Sequence, residues 1–311
     1  MPPKIILSLL IMLSTFYTSV PLKAANIESE GFVPVAGASL YYKVIGEGKP
    51  LLVLHGGPGL DHSYFLPQME VLAKNYKLIF FDQRGCGRST DKIDSASISM
   101  AQFVDDIEAL RKYFELDKVN LLGHSFGALL AMRYAIKYPT QVNSLMLVNP
   151  SAASSIWRDS SFSSMKMKKD PETIEKMNLL MKTLAFENRE PGAMSDFYRL
   201  TFRSSFYDPS KVDELSLNFQ KNYVETARLM NQLQSDSTLI SYDLHPDLKK
   251  LNIHALIIGG EADVIHPMAL EELHSSLKGS QYSFIEGCGH FPFIEQPEQF
   301  LKAINKFFSK F

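Results

Sequence analysis

From Phe32 onward the chain alternates short apolar runs with longer stretches in which apolar residues recur every three or four positions. The runs 51–54, 77–81, 119–122, 144–148, 253–258 and 282–285 are almost continuously apolar, the pattern of strands buried on both faces of a sheet. Stretches between them, such as 100–115 and 128–138, carry helical spacing. Strands separated mostly by helices predict an α/β protein whose largely parallel sheet is covered on both sides. Ahead of it, 32–35 and 40–45, joined at Gly37-Ala38, read as an antiparallel hairpin. The rhythm breaks between Ser151 and about Tyr242, which predicts a helical insertion. Asp170-Pro171 opens a helix there, with proline at the first position. Ile174, Met177, Met181 and Leu184 repeat on one face, as do Tyr223, Ala227 and Met230 further on, and both stripes are expected in the insertion's core or its seam.

Chemistry enters at Gly123-His124-Ser125-Phe126-Gly127, between the run 119–122 and the helical stretch 128–138. A G-x-S-x-G turn from strand to helix holds its serine in a strained conformation, with the hydroxyl exposed at the carboxyl end of the sheet. A serine hydroxyl needs a base and an orienting carboxylate, here expected downstream. Of the eight histidines, His290 is the candidate base, because Gly287-Cys288-Gly289-His290 forms a loop just after an apolar run. His274 falls on a helix face, and His266 follows the best acid too closely. That acid is Asp263, on the turn after 253–258; Glu261 is the competitor. The end of the run 144–148 offers Asn149-Pro150-Ser151 and no carboxylate. Ser125 attack, proton shuttling by His290 and tautomer control by Asp263 then form one mechanism. The loop His55-Gly56-Gly57-Pro58-Gly59 follows another strand, so the backbone N–H groups of Gly57 and Phe126 are the expected oxyanion donors. His55 itself is expected to organise that loop.

His55-Gly56-Gly57-Pro58-Gly59, Phe81-Asp82-Gln83-Arg84-Gly85-Cys86-Gly87-Arg88-Ser89, the nucleophile elbow Gly123-His124-Ser125-Phe126-Gly127 and Gly289-His290 together resemble the proline iminopeptidase branch of the α/β-hydrolase fold. The resemblance implies a mostly parallel central sheet with helices on both faces and a helical cap insertion. It also implies a metal-free, cofactor-free serine exopeptidase that releases an N-terminal residue, usually proline, from small peptides, with Ser125, Asp263 and His290 as its triad. The elbow departs from the Gly-Gly-Ser-Trp-Gly form of that branch. A carboxylesterase or lactonase with the same triad is the alternative. A non-catalytic ligand-binding protein is a third reading, against which the intact triad order speaks. A serine at the elbow disfavours epoxide and haloalkane hydrolysis, which want a carboxylate there.

The remaining features set context. Residues 1–24 have a basic start, an apolar run broken by hydroxyls and small residues before a cleavage point, which reads as a signal peptide and predicts export; an uncleaved anchor is the alternative. Residues 25–150 and 243–311 then form the catalytic domain, and 151–242 the substrate-selecting cap. The formal charge of −2 becomes −4 when residues 1–24 leave with Lys4 and Lys23 and no acid. No basic stretch suggests nucleic acid, and the expected partner is a small molecule or short peptide. The two cysteines, Cys86 and Cys288, lack metal-ligand spacing and are expected to be free thiols. Asp106, Glu108 and Arg111 read as the solvated face of their helix, and Asp82 and Arg84 as structural salt-bridge residues. Among the cap acids Glu225 is the candidate for holding a substrate ammonium.

Overall fold

A computed structural model describes residues 27–91, 93–167, 169–221 and 223–310. The segment 1–24 expected to direct export lies outside them. Strands β1 (Ile27–Val35) and β2 (Ala38–Ile45) form the expected hairpin. They are followed by β3 (Lys49–Leu54), β4 (Tyr76–Phe81), β5 (Val119–His124), β6 (Val142–Val148), β7 (His254–Gly260) and β8 (Gln281–Ile285). One sheet runs in the order β1-β2-β4-β3-β5-β6-β7-β8. Among the described residues of this sheet, only the pairings of β2 with β1 and β4 are antiparallel.

The apolar runs are continuous because successive residues face opposite layers, and both layers are dry. Leu52, Leu54, Leu121, Leu145, Leu147 and Ile257 join one core cluster. Their neighbours Leu51, Val53, Leu122, Met146, Val148, Leu256 and Ile258 join the other. The first cluster is closed by helices α1 (Met100–Tyr113) and α2 (Phe126–Lys137), the second by the C-terminal helix Pro297–Phe308 through Phe300, Ile304 and Phe307.

Between β6 and β7 the chain leaves the sheet and forms α3 (Ser155–Met167), α4 (Pro171–Leu180), α5 (Pro191–Phe202) and α6 (Tyr223–Gln234), with shorter turns between them. Asp170 caps α4 by accepting from the Thr173 N–H, with Pro171 in the first turn. The apolar stripe of α4 is not core, however: Ile174, Met181 and Leu184 are exposed. The stripe of α6 is buried at Tyr223 and Met230. Among the described residues no helix is long and apolar enough to cross a membrane.

The face of α1 expected in solvent is turned inward. Asp106 is buried and takes a two-pronged contact from the fully buried Arg84, with Nη2 2.5 Å from Oδ1 and Nε 2.7 Å from Oδ2. Glu108 accepts from Arg111 and from the Tyr134 hydroxyl. An acid on a helix is usually solvated, but here partners from other elements satisfy it. Asp82 and Arg84 do serve structure, though with separate partners, His62 and Asp106 respectively.

Candidate active site

Ser125 sits between β5 and α2 at φ 53° and ψ −120°, a conformation costly for any residue with a Cβ. The turn fits only because its glycines lack side chains: a Cβ on Gly127 would run into the Leu54 carbonyl, and one on Gly123 into the first turn of α2. The serine backbone is tied down on both sides, its N–H donating to Val148 O at 3.0 Å and its carbonyl accepting from Ser151 N at 3.0 Å. Crossing from β5 into β6 territory in this way fixes the nucleophile relative to two adjacent strand ends.

The turn after β7 delivers Asp263, and the loop after β8 delivers His290. Asp263 Oδ1 lies 2.8 Å from His290 Nδ1 and also accepts from Val264 N at 2.6 Å. Both residues are buried. A carboxylate only accepts, so Nδ1 carries a proton, and it is Nε2 that holds the lone pair of the neutral ring. Burial pushes the Asp263 carboxyl up, but the His290 ring and the Asn149 amide pull harder and hold it below the usual carboxylate range. Glu261 is exposed and accepts from Gly287 N at 2.9 Å, so it braces the histidine loop and does not contact the imidazole. His266 caps a helix through Met268 N, and His274 bonds Ser280 at the surface.

Ser125, His290 and Gly57 line one cleft. Gly57 stands in the loop after β3 at φ 125°, open to backbones without a side chain. Phe126 is the first residue of α2, whose N–H has no acceptor within the helix. The cleft thus brings the candidate nucleophile and the candidate base together beside the loop after β3, and Phe126 follows the serine directly in the chain. His55 organises the loop after β3 as expected: Nδ1 donates to Gly56 O at 2.7 Å and Nε2 accepts from Gln83 N at 3.0 Å. Burial holds its pKa down to about 4, so it stays neutral.

The family model for the alpha/beta hydrolase fold matches residues 49–297. The chain belongs to the α/β-hydrolase family. It is 29% identical over 308 residues to a proline iminopeptidase of Lactobacillus crispatus, covering 89% of this chain and 97% of that one. It is 28% identical to a proline iminopeptidase of Saccharolobus solfataricus, covering 95% of this chain and 96% of that one. Among solved structures, a proline iminopeptidase of Mycobacterium smegmatis superposes with a TM-score of 0.65 at 19% identity, over 91% of this chain and 98% of the other. An enol-lactonase of Burkholderia xenovorans superposes with a TM-score of 0.61 at 19% identity, over 90% of this chain and all of the other (100%). At such identity these two superpositions speak to fold. The chain is accordingly a serine hydrolase of the α/β-hydrolase family.

Three residues of this hydrolase site escaped the sequence pattern. Asn149, in the position where a second acid was sought, donates to Asp263 Oδ2 at 2.7 Å and to Gly289 O at 3.0 Å. Tyr64 and His124 bond each other at 2.7 Å beside the elbow. The signal for Asn149 was its place at the carboxyl end of β6; Tyr64 gave none.

Glu225 is a correction. It lies on the outer side of α6, where Arg228 grips both of its oxygens at 2.5 and 2.8 Å, and it does not line the cleft. Among the described residues lining the cleft there is no carboxylate, and the one charged side chain is Arg158. That guanidinium is held by Asp159 and by the carbonyls of Leu239 and Ile240. Helix amphipathicity told which way α6 faces but not where its partner face would lie, and Glu225 falls on the solvent side.

Cys86 and Cys288 are both buried and free. Burial pushes both thiols far up, out of the range of a reactive thiolate. Asp61, His62 and Asp82 bring three ligand-type atoms within 4.8 Å. They are hydrogen-bonded within the fold, Asp61 Oδ1 with Ser63, and Asp82 with His62 and the Arg88 N–H, so the cluster reads as a brace.

Proposed function

We propose that Ser125 is the nucleophile of an acyl-enzyme mechanism, with His290 as base and then acid, Asp263 as its orienter, and Gly57 and Phe126 N–H as oxyanion donors. The observation that carries this reading is the Asp263–His290 bond, which leaves Nε2 a proton acceptor in the cleft that Ser125 lines. The leading activity is that of a proline iminopeptidase-like aminopeptidase acting on small peptides. It is supported by full-length likeness to curated proline iminopeptidases and by the HGGPG and DQRGCGRS segments. Residues 151–242 serve as the selecting cap, and export by residues 1–24 would place the reaction outside the cytoplasm.

A second reading, carboxylesterase or lactonase, is favoured by the same cleft. Selecting a free N-terminus needs a carboxylate near the substrate ammonium, since a cation facing only neutral walls is poorly compensated. The described lining offers none. The deciding experiment compares kcat/KM on proline p-nitroanilide, its N-acetylated form and a panel of p-nitrophenyl esters, with Ser125→Ala as blank. Preference for the free amine by more than about tenfold, equal to roughly 1.4 kcal/mol, supports the aminopeptidase. Ester turnover without anilide turnover overturns it in favour of the esterase. Residual activity in Ser125→Ala would overturn both. A periplasmic or culture-medium fraction lacking the protein would overturn export.

A further inference from the structure

We propose that Tyr64 and His124 are positioning residues that index the oxyanion loop, the nucleophile and the base to one another through a single one-directional hydrogen-bond relay. The inference rests on the acyl-enzyme reading of Ser125. Three bonds form the relay: Gly56 N to Tyr64 Oη at 2.6 Å, Tyr64 Oη to His124 Nδ1 at 2.7 Å, and His124 Nε2 to the His290 carbonyl at 2.8 Å. Each member is buried.

The proton positions follow from valence. A carbonyl only accepts, so His124 Nε2 bears the hydrogen. Burial and the neighbouring His290 hold the His124 pKa down to about 3, so the ring is neutral and Nδ1 is an acceptor. The Tyr64 hydroxyl must then donate to Nδ1, and its oxygen takes the Gly56 N–H. Every donor points the same way, from the loop after β3, through the residue preceding the nucleophile, to the backbone of the base. The aromatic rings of Phe65, Phe291 and Phe293 surround His124 at centroid distances of 6.0, 5.4 and 5.4 Å. Buried polar groups in such a chain are costly to leave unpaired.

The relay acts on geometry that catalysis uses. A Cβ on Gly56 would stand 3.1 Å from Ser125 Cβ and 3.1 Å from Tyr64 Oη, so the loop is seated against both. Gly57, the candidate oxyanion donor, is the next residue. Shifting Gly56 moves the Gly57 N–H relative to the serine oxygen, and releasing the His290 carbonyl lets the base drift. Gly56, Tyr64 and His124 also line the cleft, so substitutions that keep an aromatic ring at both side chains leave its walls in place.

The test uses Tyr64→Phe, which removes one oxygen and keeps the ring, His124→Phe, and the double variant. Steady-state kinetics are measured on a p-nitrophenyl ester, alongside fluorophosphonate labelling and thermal denaturation. Since losing one oxyanion donor costs about 10²–10³ in kcat, misplacing one should cost on the order of tenfold or more, with KM within about twofold. The labelling rate should fall in parallel. Because both residues serve one relay, the double variant should fall little further than the worse single. If His124→Phe does not fold, His124→Asn, which keeps an acceptor for Tyr64, takes its place and should lose less than Tyr64→Phe. A folded Tyr64→Phe with kcat within twofold of wild type would overturn the relay, as would losses that multiply in the double variant. Failure of the wild type itself to label at Ser125 is a different result and would overturn the acyl-enzyme reading beneath it.

Discussion

Asn149 stands where a competing acid would sit, and it shows how one side chain can serve two partners of the site. Its amide bridges the Asp263 carboxylate and the Gly289 carbonyl, joining the turn after β7 to the loop that carries His290. Asn149→Ala should leave the Asp263–His290 bond in place but loosen it, lowering kcat on the order of tenfold with little change in KM. Asp263→Asn should cost more, about 10⁴ in kcat as in serine-protease triads, because an amide orients the wrong imidazole tautomer. Glu261→Gln should stay near wild type; a loss matching that of Asp263→Asn would move the orienting role to Glu261. Ser125, Asp263 and His290 were legible because each follows an apolar run on a short turn, and turn chemistry is local. Asn149, Tyr64 and His124 were not read as site residues because what they do depends on partners 114, 60 and 166 positions away in sequence.

At the level of the elements, continuous apolar runs announced the parallel strands, and the G-x-S-x-G turn announced the start of α2. The orientation of α1 was less legible. Its charged residues were read as solvent-facing because a lone helix shows only its own periodicity, whereas Arg84 arrives from the loop after β4 and Tyr134 from α2. The buried Arg84–Asp106 pair makes a stability prediction. Arg84→Ala would strand the Asp106 carboxylate and cost roughly 3–5 kcal/mol, read as a lower urea midpoint at unchanged slope. Arg84→Met with Asp106→Leu should recover most of that loss; a double variant as unstable as the single would mean the pair is not the cause. Glu108 gives a pH prediction of definite sign. Bonds from Arg111 and Tyr134 pull its folded pKa from 4.5 down to about 2 against some burial. Its contribution is therefore present above about pH 4.5 and is lost as pH falls toward 2. Glu108→Gln should show a shallower fall of Tm across that window, and an unchanged slope would remove Glu108 from the acid response.

Over the whole molecule, the insertion is held to the catalytic domain by contacts that no local pattern announces. The central one is Glu295, in the short helix that follows His290. Its Oε2 accepts from Gly289 N at 2.6 Å, while Oε1 accepts from Tyr207 N at 2.7 Å and Asp208 N at 3.1 Å. The same insertion segment receives the His290 N–H at Ser205 O, 2.7 Å away. Glu295 therefore straps the chain after α5 to the histidine loop. A buried acid at this spacing reads in sequence as an ordinary surface residue, and only the fold reveals three backbone donors aimed at it. Glu295→Ala would orphan the buried Gly289 N–H, at about 1–3 kcal/mol, while the Tyr207 and Asp208 amides belong to exposed residues and can turn to water. A fall in stability of about 1–3 kcal/mol at neutral pH is expected, together with faster hydrogen exchange at the Tyr207 and Asp208 amides. Glu295→Gln keeps an acceptor on one side but turns an N–H₂ toward donors on the other, so its loss should be intermediate. If the Tyr207 and Asp208 amides exchange no faster in Glu295→Ala, the insertion is held by its apolar seam at Phe206 and Phe291, whose rings stack at 4.8 Å. Rings packed in that way would keep the segment closed without the carboxylate, and truncating Phe206 would then release it.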